Sequence, residues 1–273
     1  MPEPTDYVPP RVWTWNKDKP TPFPNNRPTA GPIFERALPT GRRAFQLYSA
    51  ATPNGIKVCT LFEELLATGR EDAEYDLWTI DILEKGEQFS SGFVELNPNA
   101  KIPALLDRSG PEPIRVFESG AILLHLANKF GAFIPDDPRK RAECLSWLFW
   151  QVSSIPYVGG GFGHFYVFAP TKIEYAIDRY ALETKRQLDV LDRRLAESEY
   201  LAGDQYSIAD MAVAGWYGGL MKGMIYGAAE FLSVDQYKHL MRWTDQMLAR
   251  PAVMRALMTA QTPERHSAAD LKV

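Results

Sequence analysis

Two short stretches put side chains where chemistry can happen. Lys101-Ile102-Pro103 precedes the apolar run Ala104-Leu105-Leu106. An X-Pro bond at the entrance of a strand can be cis, which turns the preceding residue's backbone outward for pairing with an extended ligand. Glu118-Ser119 follows the run Ile114–Phe117 and opens a helical pattern. Free amides and the dipole at a helix start hold carboxylates well. Taken singly, each has a plain reading: an ordinary trans proline and an ordinary N-cap. Commoner motifs are missing. There is no Cys-x-x-Cys, so the chain by itself is not a dithiol redox protein, and there is no phosphate-binding Gly-x4-Gly-Lys-Ser/Thr loop. Gly159-Gly160-Gly161-Phe162-Gly163 lacks a lysine and follows no strand, which suits close packing or a loop near a pocket. His125, His164, His239 and His266 have no metal-ligand spacing; His164, beside the glycines, is the least ordinary of them.

These stretches need elements to carry them. Phe45–Ser49 reads as a buried strand, broken by Thr52-Pro53-Asn54-Gly55. A helix follows, with Val58, Cys59, Phe62, Leu65 and Leu66 on one face and Gly69 as its stop. Tyr75–Asp81 alternates like a second strand, and two more fit at 104–106 and 114–117, joined by the turn composition Asp107-Arg108-Ser109-Gly110-Pro111. The next helix runs from about Glu118 to Phe130, stopped by Gly131. Beyond Phe133-Ile134-Pro135 no strand pattern appears. The longest helix spans about 172–196, and Ser207-Ile208-Ala209-Asp210 is a capping box. Pro251 suits the first turn of a short last helix. The predicted layout is β-α-β, then β-β-α, then helices only.

The chain divides into an extended N-terminal arm (1–44), a β-rich domain (45–131), a linker (132–138), an all-helical domain (139–260) and a tail (261–273). The arm holds 10 of the 21 prolines, so it is neither helix nor central strand. Trp13, Trp15, Phe23 and Phe34 argue that it lies on the body of the protein rather than floating free. Across the 273 residues, hydrophobic types make up 45% and charged types 23%, as in an ordinary globular protein. Net charge is −4, which provides no basic field for nucleic acid or an anionic membrane. No run is apolar enough to span a bilayer, and MPEPTDYVPP does not read as a secretory signal. Cys59 and Cys144 exclude a disulfide scaffold and a Cys-only zinc site, and both sit among apolar residues as small hydrophobes. The expectation is a cytoplasmic, reduced, enzyme-sized protein.

Together the pieces carry a resemblance. TPNG after the first strand, NPNAKIPAL before the third, ESGAILLHL after the fourth and SIAD in the helical half resemble a cytosolic glutathione transferase. More narrowly, LYSAATPNG, FVELNPNAKIPAL, RVFESGAILL and GGGFGHF are similar to the nu class. That class is the bacterial and fungal disulfide-bond oxidoreductase branch, related to the yeast nitrogen-regulation prion protein. The resemblance covers about residues 10–260. It implies a thioredoxin-like α/β domain followed by an all-α domain, in a homodimer.

It also implies roles. Ile102, ahead of a cis Pro103, would pair its backbone with the cysteinyl unit of glutathione. Glu118 would take the γ-glutamyl ammonium, and Ser119 with its amide the carboxylate. Gln88 and Lys101 would reach the glycine end. Asn26 of the arm and the loop Thr52-Pro53-Asn54 would surround the sulfur. Thr52 is the expected thiolate donor with Asn26 as second donor, while Tyr48 lies inside the strand and Ser49 comes early. The class holds two glutathione molecules, or one glutathione disulfide, in each site. Arg179 of the long helix, from this subunit or its partner, would meet the second. A glutamine occurs near position 151 in the family, but Gln151 is offset by one, with Val152 in its place.

The donors have a definite task. A thiol with pKa near 8.5 is only roughly 3% thiolate at pH 7. Lowering that pKa by about two units gives roughly three quarters thiolate, for about 2.7 kcal/mol. The activity implied is glutathione-dependent disulfide reduction, with glutathione as co-substrate and no metal. The alternatives are conventional conjugation or peroxidase chemistry, and a non-catalytic glutathione-binding regulator.

Overall fold

The computed structural model describes residues 7–16, 18 and 27–261. Strand β1 (Phe45–Ser49) is buried at all five positions, as a strand with neighbours on both edges must be. It pairs in parallel with β2 (Tyr75–Thr79) and antiparallel with β3 (Ala104–Asp107), which pairs antiparallel with β4 (Ile114–Phe117). The sheet order is therefore β2-β1-β3-β4. Helix α1 (Pro53–Ala67) makes the crossover between the parallel pair, and α3 (Ser119–Phe130) follows β4. Phe45 and Leu47 face these two helices. Tyr48 faces the other way and packs with Phe93 and Leu96 of α2 (Ser91–Leu96). Phe62 of α1 stacks on Tyr75 at 4.3 Å between ring centres. Each such buried ring contributes about 1.5–3 kcal/mol.

The predicted strands and helices stand close to their expected bounds. The second strand ends at Thr79, two residues short of the alternating pattern, and the linker leads into α4 (Pro138–Pro156), capped by the Asp137 carboxylate. Helix α4 continues as a π-helical segment, Tyr157–Phe168, which contains the glycine run. A Cβ at Gly161 would lie 2.2 Å from the Tyr180 ring. Gly159 and Gly163 are likewise closed off by Trp216 and Tyr226, so these three glycines serve packing, while Gly160 faces open space. Helix α5 (Glu174–Glu197) is the longest. Helix α6 (Ile208–Val213) opens on the capping box: the Ser207 amide donates to Asp210 at 3.0 Å, while the Ser207 hydroxyl accepts from Ala209. Helices α7 (Gly219–Met221), α8 (Lys238–Leu248) and α9 (Pro251–Gln261) complete the domain.

Helix α9 returns to lie against α1 and joins the two domains. Arg250 forks onto the buried Glu64 carboxylate at 2.6 and 3.0 Å, and Arg255 meets buried Glu63 at 3.1 Å. Of the arm, the stretch from Ile33 docks by backbone pairing: the Ile33 amide donates to Phe89, and Phe34 bridges Ser90. The Tyr48 hydroxyl then donates to the Pro39 carbonyl at 2.7 Å. Trp13 and Trp15 of the arm are 64% and 42% exposed in the single chain. Among the described residues, no helix is long and apolar enough to cross a membrane.

Candidate functional site

The turn between β1 and α1 is built by its sequence. Thr52 is the N-cap of α1, with an extended backbone and its Oγ1 accepting the Gly55 amide at 3.2 Å. Pro53 follows in the first turn, where its missing amide costs nothing. A Cβ at Gly55 would lie 2.2 Å from the Ala50 carbonyl oxygen, so only glycine lets the helix start so close to the strand end. Asn54 points toward the helical domain, where its Oδ1 accepts the Trp216 indole N–H at 2.8 Å.

Beside this turn lies a cleft of about 250 Å³ between the domains. Asn54 and the lead-in to β3, Lys101-Ile102-Pro103, form part of its wall, and the Ile102–Pro103 bond is cis. Glu118 and Ser119 contribute the start of α3, and Gln151 with Val152 comes from α4. Gln151 and its neighbour Val152 therefore both face the cleft. The Asn97 amide holds the lead-in by donating to the Lys101 carbonyl at 2.6 Å. Glu118 has φ of +71°, a costly backbone for a residue with a side chain and one that concentrates at functional sites. That conformation leaves Ser119 as the first residue of α3, with the free amides of the helix start beside its hydroxyl.

A residue missing from the sequence reading completes the cleft. The Lys57 side chain is 1% exposed, and its Nζ donates to Gln151 Oε1 at 2.8 Å and lies 3.3 Å from Ser119 Oγ. Burial pulls its pKa down to about 7, against the opposing pull of Glu118. Gln151 is fully buried, and its Nε2 has no partner among the described residues. The site thus gathers a lysine amine, an unpartnered amide N–H, a hydroxyl and a helix start, a donor set suited to a carboxylate.

Residues 47–128 match the Glutathione S-transferase, N-terminal domain, family, and residues 162–251 match the Glutathione S-transferase, C-terminal domain, family. The chain belongs to the glutathione S-transferase family. It is 54% identical to the disulfide-bond oxidoreductase YghU of Escherichia coli K12, over 97% of this chain and 95% of that protein. A glutathione transferase YghU from Streptococcus pneumoniae, solved with glutathione, superposes with a TM-score of 0.92 at 53% identity, covering 95% of this chain and 100% of that one. A transferase from Burkholderia graminis, solved with two glutathione molecules per subunit, gives a TM-score of 0.72 at 40% identity, over 79% of this chain and 88% of that one.

In this transferase the remaining expected residues lie around the cleft or apart from it. Ala51 and Pro53 border a second, apolar cavity of about 240 Å³ between α1 and the helical domain, so the Thr52 turn separates the two spaces. Gln88 is buried in a short turn, its Nε2 donating to the Ile82 carbonyl at 3.2 Å and its Oε1 unpartnered, and it is not among the residues lining the cleft. Arg179 is exposed on α5 and does not line it either. Asn26 lies outside the described residues. Cys59 and Cys144 are 1% and 0% exposed, and burial raises both thiol pKa values, that of Cys59 to about 12. Neither is a nucleophile at neutral pH. His164 rests edge-on against Phe165.

Proposed function

We propose that this glutathione transferase reduces disulfide bonds with two molecules of glutathione per site. The observation that carries the reading is the state of the protein's own sulfur: both cysteines are buried with raised pKa values, beside a cleft built for a carboxylate-bearing ligand. The redox-active thiols therefore come from the ligand. The first glutathione thiolate attacks one sulfur of the substrate disulfide, whose other sulfur leaves as a thiolate and takes up a proton. The second glutathione thiolate then attacks the glutathione sulfur of the mixed disulfide. The second substrate sulfur leaves as a thiolate and takes up a proton, so the two electrons end on the substrate's two thiols and the ligands depart oxidised as glutathione disulfide.

In this account Ser119 and the α3 start hold the γ-glutamyl carboxylate, Glu118 the ammonium, and the Ile102 backbone the cysteinyl unit. Lys101 and Gln88 serve the glycine end. Thr52 and Asn26 donate to the thiolate, with Pro53 and Asn54 shaping that turn. Gln151 and Arg179 serve the ligands on the helical side. The protein works in the cytoplasm as a homodimer, which would cover apolar side chains such as Tyr175 and Leu182, 75% and 66% exposed in the single chain.

Conjugation to an electrophile is the second reading, favoured by the apolar cavity beyond Pro53. Calorimetric titration tests the principal reading. Two glutathione molecules per subunit are expected; saturation at one would return the site to ordinary conjugation.

A further inference from the structure

A lysine amine buried to 1% exposure beside a ligand cleft needs a reason. Its stem is held tightly: a Cβ at Gly215 would lie 2.8 Å from Lys57 Cγ, so the segment after α6 closes over the chain. Among the described residues its head hydrogen-bonds only to neutral groups, Gln151 Oε1 and Ser119 Oγ. An ammonium there lacks a direct anionic partner, which is costly in a buried place. Glu118 and Lys101 are the charged side chains lining the cleft, one of each sign. Helix α4 contributes only Gln151, Val152, Ile155 and Pro156 to this wall, and the closing segment after α6 presents Gly215. The partner that would balance the lysine is thus an anion brought by the ligand. The unpartnered Gln151 Nε2 points to the same missing acceptor.

We propose that Lys57 is the anion anchor of the cleft: it is fully charged once the α-carboxylate of a γ-glutamyl ligand docks at Ser119, so that binding takes up as much as one proton. The inference rests on the reading of the cleft as a glutathione site. The amine is near half-protonated at pH 7 when the cleft is empty, because its pKa is about 7 there. A carboxylate at Ser119 favours the charged form and raises that pKa. Proton uptake by Lys57 therefore grows from about 0.1 per ligand at pH 6 to about 0.9 at pH 8. Affinity is flat below pH 7 and falls up to about tenfold per pH unit above it. The carboxylate is selected by this device, because a γ-acyl ligand without it leaves the amine no more charged than it is in the empty cleft.

The test is calorimetry with S-methylglutathione, whose sulfur cannot ionise, in buffers of different ionisation enthalpy between pH 6 and 8. Wild type should take up more protons as pH rises. Lys57→Met should retain only the uptake of the ligand's own amine and bind about 10- to 100-fold more weakly at pH 6.5. A second arm keeps wild type and replaces the γ-glutamyl group by 4-aminobutanoyl, which removes the α-carboxylate alone. That ligand should bind weakly and without the pH-dependent uptake. If wild type binds S-methylglutathione with no more proton uptake than Lys57→Met, or if the analogue matches S-methylglutathione in uptake, the anchor is refuted and the glutathione site stands. If neither S-methylglutathione nor glutathione binds wild type, the site reading itself fails.

Discussion

Thr52 is asked to do two things, and substitutions can separate them. Its oxygen accepts the Gly55 amide at 3.2 Å and caps α1. A hydroxyl has two acceptor lone pairs and one donor, so the O–H proton remains for the sulfur of glutathione. Thr52→Ala removes both functions. Loss of the cap costs about 1 kcal/mol of stability. Loss of a donor to a charged sulfur costs about 1.5–3 kcal/mol, or about ten- to a hundredfold in kcat/KM. Thr52→Asp separates the two: a carboxylate caps the helix as well as threonine and suits the helix start, but it cannot donate and repels the thiolate. Thr52→Asp should therefore melt like wild type yet turn over at least as slowly as Thr52→Ala. Thr52→Ser should keep both properties. The assay is kcat/KM against pH for a small disulfide with glutathione, alongside thermal unfolding. With the donor gone, the thiolate is less favoured, so the acidic limb should move up by about one to two pH units. A Thr52→Asp protein with the wild-type rate and an unmoved limb would mean that another donor activates the sulfur.

The other expectations concern sulfur, the domain joint and the buried lysine. A Cys59→Ala, Cys144→Ala double variant should keep most of its disulfide reductase activity, measured against its folded fraction, since the reaction draws on ligand thiols alone; a folded but inactive variant contradicts that. Arg250→Met leaves the Glu64 carboxylate buried without its fork and should destabilise the protein by about 3 kcal/mol in denaturant unfolding, with much of the loss recovered by adding Glu64→Gln. Lys57 has a folded pKa of about 7 in the ligand-free protein against about 10.4 unfolded, so between those values the unfolded chain binds more protons and stability rises with pH. The stability of wild type relative to Lys57→Met should accordingly improve by about 1.5 kcal/mol from pH 7 to 8.5, and no change across that range would mean that the amine stays fully charged in the folded protein.

Much of the site could be seen in the sequence because it sits at element boundaries with distinctive chemistry. A glutamate and a serine at the start of α3 and the Ile-Pro pair before β3 fall where strand and helix patterns stop, and both line the cleft. Strand β1 was equally clear, since five buried residues lie between an arm rich in proline and the Thr-Pro-Asn-Gly turn. Lys57 escaped notice because a lysine on a helix ordinarily reads as solvated. Its position was the available signal: it lies three residues after Asn54 and four before Leu61, on the stripe that turns inward. Helix α1 is covered by α3, α6 and α9 together, a tertiary fact that no period within the helix displays. The π-helical segment was also hidden, because its glycines are set by rings far along the chain, at Tyr180 and Tyr226.

The central claim is that this transferase is a reductase of disulfides whose electrons come from two glutathione thiols. The direct measurement is steady-state turnover of hydroxyethyl disulfide with glutathione, set beside turnover of a chlorodinitrobenzene-type electrophile on the same preparation. Disulfide turnover well above conjugation is predicted, with one glutathione disulfide formed for each disulfide consumed. Conjugation exceeding disulfide turnover, or disulfide consumed without matching glutathione disulfide, would contradict the account.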